Sequence, residues 1–328
     1  MRLLILSRNP QLYSTSRLVL SARGRGHDVT VADPLDFQLV ISKGRPSIFL
    51  GERPLPKFDL VLPRIGASIT NYGLAVVRQF DLLGVPVLND SGAIARSRDK
   101  LRAMQILANR NIDVPITVCA KTPTAVNVAL NLVGVPAIIK LQQGAQGIGT
   151  MIAETPQAAL SLLETLWAMG QDIILQEYIA ESKGRDLRAL VVGGKVVASM
   201  RRQAKAGEFR SNLHRGGAAA KASLEKSYER AAILAVRELG LQVAGVDMLE
   251  SRSGAKILEI NSSPGLEGIE RVTGIDVAGA IIRHGERFVA GLGPRRRNAP
   301  LPAESETRAG RQAAARLVMA KSAKRKRA

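Results

Sequence analysis

Short apolar runs alternate with amphipathic stretches along the first 95 residues of the chain. Such runs predict strands, and stretches with apolar positions three or four residues apart predict helices. The predicted strands are 3–6, 29–32, 60–62 and 85–88, and the predicted helices lie near 14–23 and 72–83. Strands that alternate with helices are typical of a small parallel α/β sheet, whose ligands sit at the carboxyl ends of the strands. This region is a candidate substrate domain, although each polar residue there is by itself more typical of a cap or a turn.

A glycine-rich segment follows in the middle of the chain. A helix is predicted from Arg98-Asp99-Lys100 to about Arg110, and a strand over 114–118. Two further predicted strands, 137–141 and 150–153, enclose residues 142–149, with glycines at 144, 147 and 149. Glycines let backbone N–H groups approach phosphate oxygens closely, so the segment is interpreted as a phosphate-covering flap. A flexible turn is the competing interpretation, and the spacing matches neither the dinucleotide-binding fingerprint nor the P-loop.

The pattern of the second half predicts helices, one strand and two hairpins. They are a helix at 156–168, a strand at 173–179, a hairpin at 190–198 around Gly193-Gly194, a helix at 223–239 and a hairpin with arms at 243–250 and 256–261. Two β-branched runs around Gly-Gly are a strong hairpin pattern. Residues 201–217, which lie between the two hairpins, are too charged and too rich in glycine for a core. Their arginine, asparagine and histidine content suggests anion binding.

The last hairpin carries the most informative polar residues. Folding it near Ser253 places Asp247 opposite Glu259, and alternation puts Glu259 and Asn261 on one face, with Leu258 and Ile260 on the other. Carboxylate and amide oxygens without histidine or cysteine suit a hard cation such as Mg²⁺, which is commonly bound together with substrate phosphates. A solvated polar face is the alternative interpretation of this hairpin.

Composition narrows the class of protein. The chain has 328 residues, 46% of them apolar, which is enough for two or three packed domains. No apolar run approaches the roughly 20 residues needed to cross a bilayer, and the N-terminal apolar patch is too short for a signal peptide, so a cytoplasmic location is expected. Cys119 is the only cysteine, which excludes an intrachain disulfide, and its apolar neighbours predict a buried structural thiol.

The net charge of +19 is shared between the tail and the rest of the chain. From Arg295 onward, eleven basic and two acidic residues give +9, which leaves +10 on residues 1–294. A basic surface attracts polyanions such as nucleic acid, ribosomes or acidic polypeptides. The composition of the tail predicts disorder, with a helix near 309–320. Aromatic residues make up only 3% of the chain, which disfavours a base-stacking surface.

Several motifs recur in an order that resembles the RimK-type α-L-glutamate ligases of the ATP-grasp superfamily. They are P-R-I-G at 63–66, R-D-K-L-R at 98–102, F-R-S-N-L-H-R-G-G at 209–217, A-G-V-D at 244–247 and S-P-G-L-E-G-I-E at 263–270. The resemblance covers about residues 1–290; the basic tail lies outside it, and Ser262 stands where alanine is familiar in the family. It implies a mixed α/β and α+β protein with an ATP-grasp fold and an N-terminal parallel α/β (pre-ATP-grasp) domain. The expected segments are an N-terminal substrate domain (1–95), a first ATP-grasp subdomain with the flap (96–180), a second with the metal site (181–292) and a basic tail (293–328).

The resemblance also implies roles for individual residues around ATP and two Mg²⁺ or Mn²⁺ ions. Arg202 and Arg210 are the expected catalytic residues. Lys100 and Lys140 are expected on the phosphates, with Gly144, Gly147 and Gly149 in the flap, Gln176 to Ile179 along the adenine with contacts from Glu177 and Tyr178, Asp186 on the ribose, Arg210, Ser211 and Asn212 on nucleotide or acyl phosphate, and Asp247, Glu259 and Asn261 as metal ligands.

The activity implied by the resemblance is ATP-dependent addition of L-glutamate to the acidic C-terminus of small-subunit ribosomal protein six, with possible synthesis of poly-α-glutamate. The resemblance implies assembly as a homo-oligomer, which is a tetramer in the family. Contact with the ribosome or RNA through the tail is also expected, and contact with a membrane is not. Two alternatives stay open at this point. One is an ATP-grasp ligase that acts on a small-metabolite acceptor, and the other is a non-catalytic ribosome- or RNA-binding protein.

Overall fold

The computed structural model describes residues 1–44, 46–122, 125–142, 149–182, 184–211 and 216–292. These residues form two compact units, one made of residues 1–91 with 285–292 and the other of residues 92–284. The predicted tail helix, together with Gly144, Gly147 and Asn212, lies outside the described residues. The four segments predicted from the sequence stay a prediction.

The first unit is built on a three-stranded parallel sheet in the order β2-β1-β6. Its elements are β1 (Arg2–Leu6), α1 (Tyr13–Gly24), β2 (Asp28–Ala32), β3 (Phe37–Val40), β4 (Ser47–Leu50), β5 (Arg53–Pro54), β6 (Leu60–Pro63) and α2 (Thr70–Leu82). The apolar run of β1 is buried, as expected for a parallel strand covered on both faces. The predicted strand at 85–88 is reduced to one parallel bridge between Val61 and Val87. The small antiparallel sheet β3-β4-β5 was not predicted.

The second unit contains two antiparallel sheets, and the first has the order β7-β10-β8-β9. The elements up to its last strand are α3 (Ser91–Arg98), α4 (Lys100–Asn109), β7 (Thr117–Val118), α5 (Val126–Val133), β8 (Ala137–Leu141), β9 (Thr150–Ala153), α6 (Pro156–Ala168) and β10 (Ile173–Glu177). One face packs Ala137, Ile139, Ile173 and Leu175 against α5 and α6. Alternation therefore turns residues 138, 140, 174 and 176 to the opposite face. The predicted strand at 114–118 is only two residues long, Thr117–Val118.

The second sheet of this unit has five strands in the order β13-β12-β11-β14-β15. The elements are β11 (Arg185–Val192), β12 (Lys195–Gln203), β13 (Ala218–Lys221), α7 (Lys226–Glu238), β14 (Val243–Ser251), β15 (Gly254–Asn261), α8 (Glu267–Thr273) and α9 (Val277–Gly291). Both predicted hairpins are confirmed. Gly193 and Gly194 turn the first one with φ of 58° and 74°, values that β-branched residues avoid. Val246, Met248 and Ile257 on one face of the sheet pack with α7 and α4.

Three sequence predictions are wrong in detail. Leu258 was expected on the face opposite Glu259, together with Ile260, but a bulge after Asp247 pairs Met248 with Ile257, so Leu258 is the extra residue and lines the same cavity as Glu259. Cys119 is exposed rather than buried, because it follows the end of β7 and leaves the sheet. Residues 201–217 are not wholly outside the core, since β12 extends to Gln203 and Arg202 is buried.

Among the described residues, no helix combines the length and the apolar character needed to cross a bilayer.

Candidate active site

A cleft lies inside the second unit, between the inward faces of its two sheets. The first sheet contributes Ile138, Lys140, Thr150 and Gln176. The second sheet contributes Asp186, Arg202, Asp247, Leu249, Leu258 and Glu259. Residues that alternate toward the solvent side of each sheet thus meet across one space, while their neighbours fill the two cores.

Lys140 is the cationic residue at the centre of the first sheet. Its Nζ donates to Oε1 of Gln176 at 2.5 Å. Burial lowers the pKa of Lys140 to about 8, opposed by the negative charges of Glu259 and Asp247 and reinforced by the positive charge of Lys100. The influence of Glu259 and Asp247 means that the carboxylates of the second sheet lie close enough to Lys140 to affect its charge.

Lys100 is the second lysine of the cleft and the first residue of α4. Asp99 caps this helix, because its carboxylate accepts from the backbone N–H of Arg102 at 3.0 Å. The Nζ of Lys100 donates to the backbone carbonyl of Gln142, the first residue of the predicted flap, at 3.1 Å. Burial lowers the pKa of Lys100, and Glu259 opposes that shift. Two partly desolvated ammonium groups therefore face the same carboxylate.

An ion-pair network covers the cleft face of the second sheet. Asp186 and Arg202 are direct cross-strand partners, and the guanidinium of Arg202 donates to both carboxylate oxygens of Asp186, at 2.6 and 2.5 Å. The hydroxyl of Ser211 donates to the same carboxylate at 2.5 Å. The side chains of Asp186 and Arg202 are each only 4% exposed, so the pair is desolvated. Such a pair is costly to break, since either partner alone would be a buried charge.

Asp247 extends this network toward the hairpin. It pairs across the sheet with Arg188, which donates from Nε and Nη2 at 2.6 Å each, and Nη2 of Arg202 lies 2.9 Å from its carboxylate. Burial alone would raise the pKa of Asp247, but Arg188 and then Arg202 hold it at about 2. For Arg202, burial is opposed by Asp247 and Asp186, and the net effect raises its pKa. Asp247 and Arg202 are therefore both charged at neutral pH.

The hairpin register matches the prediction from the sequence. Asp247 is the direct partner of Glu259, and Asn261 pairs with Gly245 two positions further along the strand. Direct partners share a face of an antiparallel sheet, so the two carboxylates project together. Asn261 is on the same side by alternation but is not among the described residues that line the cleft.

The remaining predicted residues are divided between the cleft and its surroundings. Glu177 and Tyr178 line the cleft, although the carboxylate of Glu177 accepts from the backbone N–H of Ile116 at 3.1 Å. Arg210 also lines it, and its guanidinium is bound by Glu208 at 2.8 and 2.9 Å. Gly149 is not among the described lining residues; its φ is 76°, and a Cβ there would meet Leu141 at 2.8 Å.

The donor set of the hairpin fits a hard cation better than a soft one. Two carboxylates and an amide oxygen are ligands that Mg²⁺ prefers. In the part of the chain that the structure describes, no group of three or more His, Cys, Asp or Glu residues could hold a metal ion. Any ion here would therefore be held by Asp247 and Glu259 with Asn261 and ligand oxygens, and it would share Asp247 with two arginines.

Arg188, beside the cleft, was not predicted as a site residue, and Gln176 was expected along the adenine rather than in contact with Lys140. Arg188 lies two positions after Asp186, so strand alternation places both on one face, and this pattern could have identified it. Gln176 belongs to the predicted strand 173–179, but its contact with Lys140 joins two strands that are 36 positions apart. No spacing in the sequence indicates such a contact.

Known families match nearly the whole of the described chain. Residues 97–284 match the model of the RimK-like ATP-grasp domain, and residues 1–94 match that of the RimK PreATP-grasp domain. The fold and the cleft are thus those of an ATP-grasp protein. The chain belongs to the RimK-like ATP-grasp family. The resemblance stated from the motifs, and the fold class that it implied, are confirmed.

Curated relatives make the assignment more specific. The chain is 52% identical to a Shewanella denitrificans protein named "Probable alpha-L-glutamate ligase 1". The alignment spans 288 residues, which are 88% of this chain and 98% of the relative. A Pseudomonas putida protein named "Probable alpha-L-glutamate ligase" is also 52% identical over 288 residues, covering 88% and 96%. Identity at this level over almost the full relative places the chain among the α-L-glutamate ligases of the family.

A solved structure gives the same fold. The ATP-grasp ligase PsnB, complexed with minimal precursor, Mg and ADP, superposes with a TM-score of 0.69 at 19% identity, covering 88% of this chain and 98% of PsnB. At such low identity the match supports the fold and carries no residue roles.

Proposed function

We propose that this protein is an ATP-dependent carboxylate–amine ligase that adds L-glutamate to the C-terminal glutamate of a protein acceptor. The observation that carries the proposal is the opposition, inside one cleft, of Lys100 and Lys140 to Asp247 and Glu259. Lysines suit the phosphates of ATP, and paired carboxylates suit a phosphate-bound cation. Family membership supports ATP and Mg²⁺ as the ligands of this cleft. The site residues named from the sequence are part of the proposal.

The reaction proceeds in two steps. The terminal carboxylate of the acceptor attacks the γ-phosphorus of ATP, the bond to the bridging oxygen breaks, and ADP leaves. The resulting acyl phosphate is attacked at carbon by the amine of L-glutamate, and inorganic phosphate leaves as the peptide bond forms. The nitrogen loses a proton to solvent in this step. No nucleophilic serine or cysteine is required, because the phosphate itself is the leaving group.

The residues of the cleft would lower the two barriers by binding and charge neutralisation. Lys100 and Lys140 would neutralise the repulsion between the phosphates and the attacking carboxylate, and Arg210 and Ser211 would contact the transferred phosphoryl group. Tyr178 and Glu177 would lie along the adenine, and Asp186 beside the ribose. Arg202 would maintain the charge of both Asp186 and Asp247, a role that its burial supports. Closure of residues 142–149 would exclude water, which otherwise hydrolyses an acyl phosphate.

Asp247, Glu259 and Asn261 would hold the divalent cation. When bound, Mg²⁺ or Mn²⁺ would polarise the phosphate oxygens and neutralise charge on the leaving ADP. Two ions, held by these three residues, are part of the proposal. Because Arg188 and Arg202 occupy part of the Asp247 carboxylate, the cation would bind its remaining acceptor position.

The acceptor is proposed to be small-subunit ribosomal protein six, with further additions giving poly-α-glutamate. The solved complexes of PsnB with a precursor peptide show that a protein of this fold binds a peptide, which supports a polypeptide acceptor here. The positive charge of residues 1–294 also favours an acidic acceptor. Binding of the ribosome or RNA by the tail, assembly as a homo-oligomer and a cytoplasmic location stay predictions.

The test is ADP release in the presence of L-glutamate and candidate acceptors, with mass spectrometry of the acceptor. Ribosomal protein six should gain about 129 Da for each glutamate added, and only when ATP, Mg²⁺ and glutamate are all present. A matched acceptor without its terminal glutamate is the control. ADP release without any gain of mass on a polypeptide would contradict the proposed acceptor, and no ADP release with any acceptor would contradict the ligase itself.

A further inference from the structure

We propose that Gln176 is a positioning residue for the nucleotide site, which holds the ammonium of Lys140 through a directed chain of hydrogen bonds anchored on the backbone of Pro115. The proposal rests on the proposed function, because it assumes that Lys140 binds the phosphates of ATP. It adds Thr117 to the set on which nucleotide affinity depends and gives Gln176, expected only along the adenine, a role toward Lys140.

The four groups of this chain form consecutive contacts across the first sheet of the second unit. Lys140 Nζ lies 2.5 Å from Gln176 Oε1, Gln176 Nε2 lies 2.9 Å from Thr117 Oγ1, and Thr117 Oγ1 lies 2.8 Å from the Pro115 carbonyl oxygen. Gln176 and Thr117 are direct partners between β10 and β7. Lys140 pairs with Ile174, so it is the diagonal neighbour of Gln176 on the same face.

The direction of each hydrogen bond follows from the chemistry of the groups. A backbone carbonyl can only accept, so the hydroxyl of Thr117 donates its single proton to Pro115. That hydroxyl can then only accept from Gln176, which must present its NH₂ to Thr117. The amide oxygen of Gln176 is thereby turned to Lys140, whose ammonium can only donate. Each group thus fixes the orientation of the next, and the amide of Gln176 cannot be reversed without placing two donors together.

This arrangement suits a lysine that must reach a phosphate. Gln176 is only 4% exposed, so its amide is held by packing as well as by its partners. A neutral acceptor fixes the flexible side chain of Lys140 and favours its protonated form, yet it leaves the full positive charge available. A carboxylate at position 176 would instead neutralise that charge and compete with the phosphate.

The choice of Thr117 allows a test with closely matched variants. Thr117→Val removes the hydroxyl and keeps the shape, whereas Thr117→Ser keeps the hydroxyl and removes a methyl group. Gln176→Met keeps the length of the side chain and removes the acceptor. Lys140→Met removes the ammonium, and its loss of ATP binding tests the role of Lys140 on which the proposal depends.

The experiment measures the dissociation constant of a fluorescent ATP analogue with Mg²⁺, together with KM for ATP and kcat, for the full chain and these four variants. We expect Gln176→Met to weaken ATP binding about tenfold, the effect of losing one hydrogen bond to a charged group. Thr117→Val should weaken it about threefold, and Thr117→Ser should bind within about twofold of the wild type. The effects should appear in KM with little change of kcat, because binding of the phosphates is common to the ground and transition states.

A purely structural role gives a different result. Thr117→Val and Thr117→Ser would then differ in thermal stability but not in ATP affinity, and this outcome would overturn the proposal even if Gln176→Met failed to fold. Loss of binding in Lys140→Met with unchanged binding in Gln176→Met would also overturn it while leaving the proposed function intact. A wild-type protein that binds no ATP would contradict the proposed function and, with it, this inference.

Discussion

The two sheets that face the cleft stabilise their polar residues in different ways. On the first sheet, a single cation, Lys140, is bound by the neutral amide of Gln176. On the second sheet, Asp186 and Asp247 are compensated by Arg188 and Arg202, all four paired across neighbouring strands. A neutral acceptor leaves the charge of Lys140 largely available to a ligand. A paired carboxylate is stable without a ligand, because arginine already compensates its charge.

Because of this difference, substitutions in the ion pairs of the second sheet should mainly affect stability, and substitutions on the first sheet should mainly affect ligand binding. Removing a member of the buried ion-pair network leaves a buried charge without its partner. Removing Gln176 takes only one neutral acceptor away from Lys140. Glu259 differs from these two aspartates, because its negative charge affects the pKa values of Lys100, Lys140 and Arg98. It should therefore contribute more to binding and catalysis than to folding.

The largest effect is expected for Arg202→Met. The substitution leaves Asp186 and Asp247 buried with less compensation, so the free energy of unfolding should fall by about 3–5 kcal/mol. Gln176→Met on the first sheet is the matched comparison, with an expected loss of about 1–3 kcal/mol. Urea denaturation of both variants measures the difference. Equal losses would show that the two sheets do not differ in this way.

The next effect is expected for Glu259→Gln. If Glu259 binds the cation, ADP release should fall about 10²–10³-fold, corresponding to several kcal/mol of lost charge stabilisation, while stability changes by less than about 1 kcal/mol. Glu250→Gln on the same hairpin is the control, because Glu250 pairs with Arg201 at the surface and should leave activity unchanged. Full turnover in a folded Glu259→Gln variant would refute the proposed ligand.

A smaller effect is expected from pH. The pKa of Lys140 in the free protein is lowered to about 8 by burial, an effect that Glu259 and Asp247 oppose and Lys100 reinforces. The protonated form predominates below this pH and is lost above it, so kcat/KM for ATP should fall as pH rises through about 8, approaching tenfold per unit. In Lys140→Arg the cation persists, and the decline in this window should disappear. A parallel decline in both proteins would assign it to another group.

The smallest effect on the reaction is expected from deletion of residues 295–328. The deletion removes a net charge of +9, so association with ribosomes or acidic peptides should weaken several-fold at low salt and the difference should vanish at high salt. ADP release should stay within about twofold, because the cleft of the second unit is unchanged. Identical binding of the two proteins throughout a salt titration would exclude a role for the tail in association.

Much of the fold could be predicted because its pattern is local. The hairpin was predicted with arms at 243–250 and 256–261, and Asp247 lies opposite Glu259 as expected, although the register shifts by one residue beyond that pair. Helix 156–168 was predicted to the residue, since Thr155 caps it and Pro156 begins it. The motifs also indicated the family correctly. Local spacing, turn residues and caps are properties of neighbouring positions, which the sequence displays directly.

The errors arose where lateral neighbours decide the outcome. Leu258 lines the cleft because one bulge shifts the pairing by a residue, and strict alternation cannot predict a bulge. Cys119 was expected to be buried from its apolar neighbours, but β7 ends one residue earlier. In the first case, one extra residue changed the face of the sheet on which a side chain lies. In the second, the strand ended one residue before the cysteine.

The sequence by itself determined the alternation of buried and polar positions, the hairpins and the family to which the chain belongs. Only the tertiary structure decided which charges compensate one another. Arg188 and Asp247 are 59 positions apart, and Lys140 and Gln176 are 36 apart, yet each pair lies in hydrogen-bond contact. The reason is physical: strand order and register bring distant residues within a few ångströms, and only at such distances do desolvation, hydrogen bonding and Coulomb interactions set their charge and orientation.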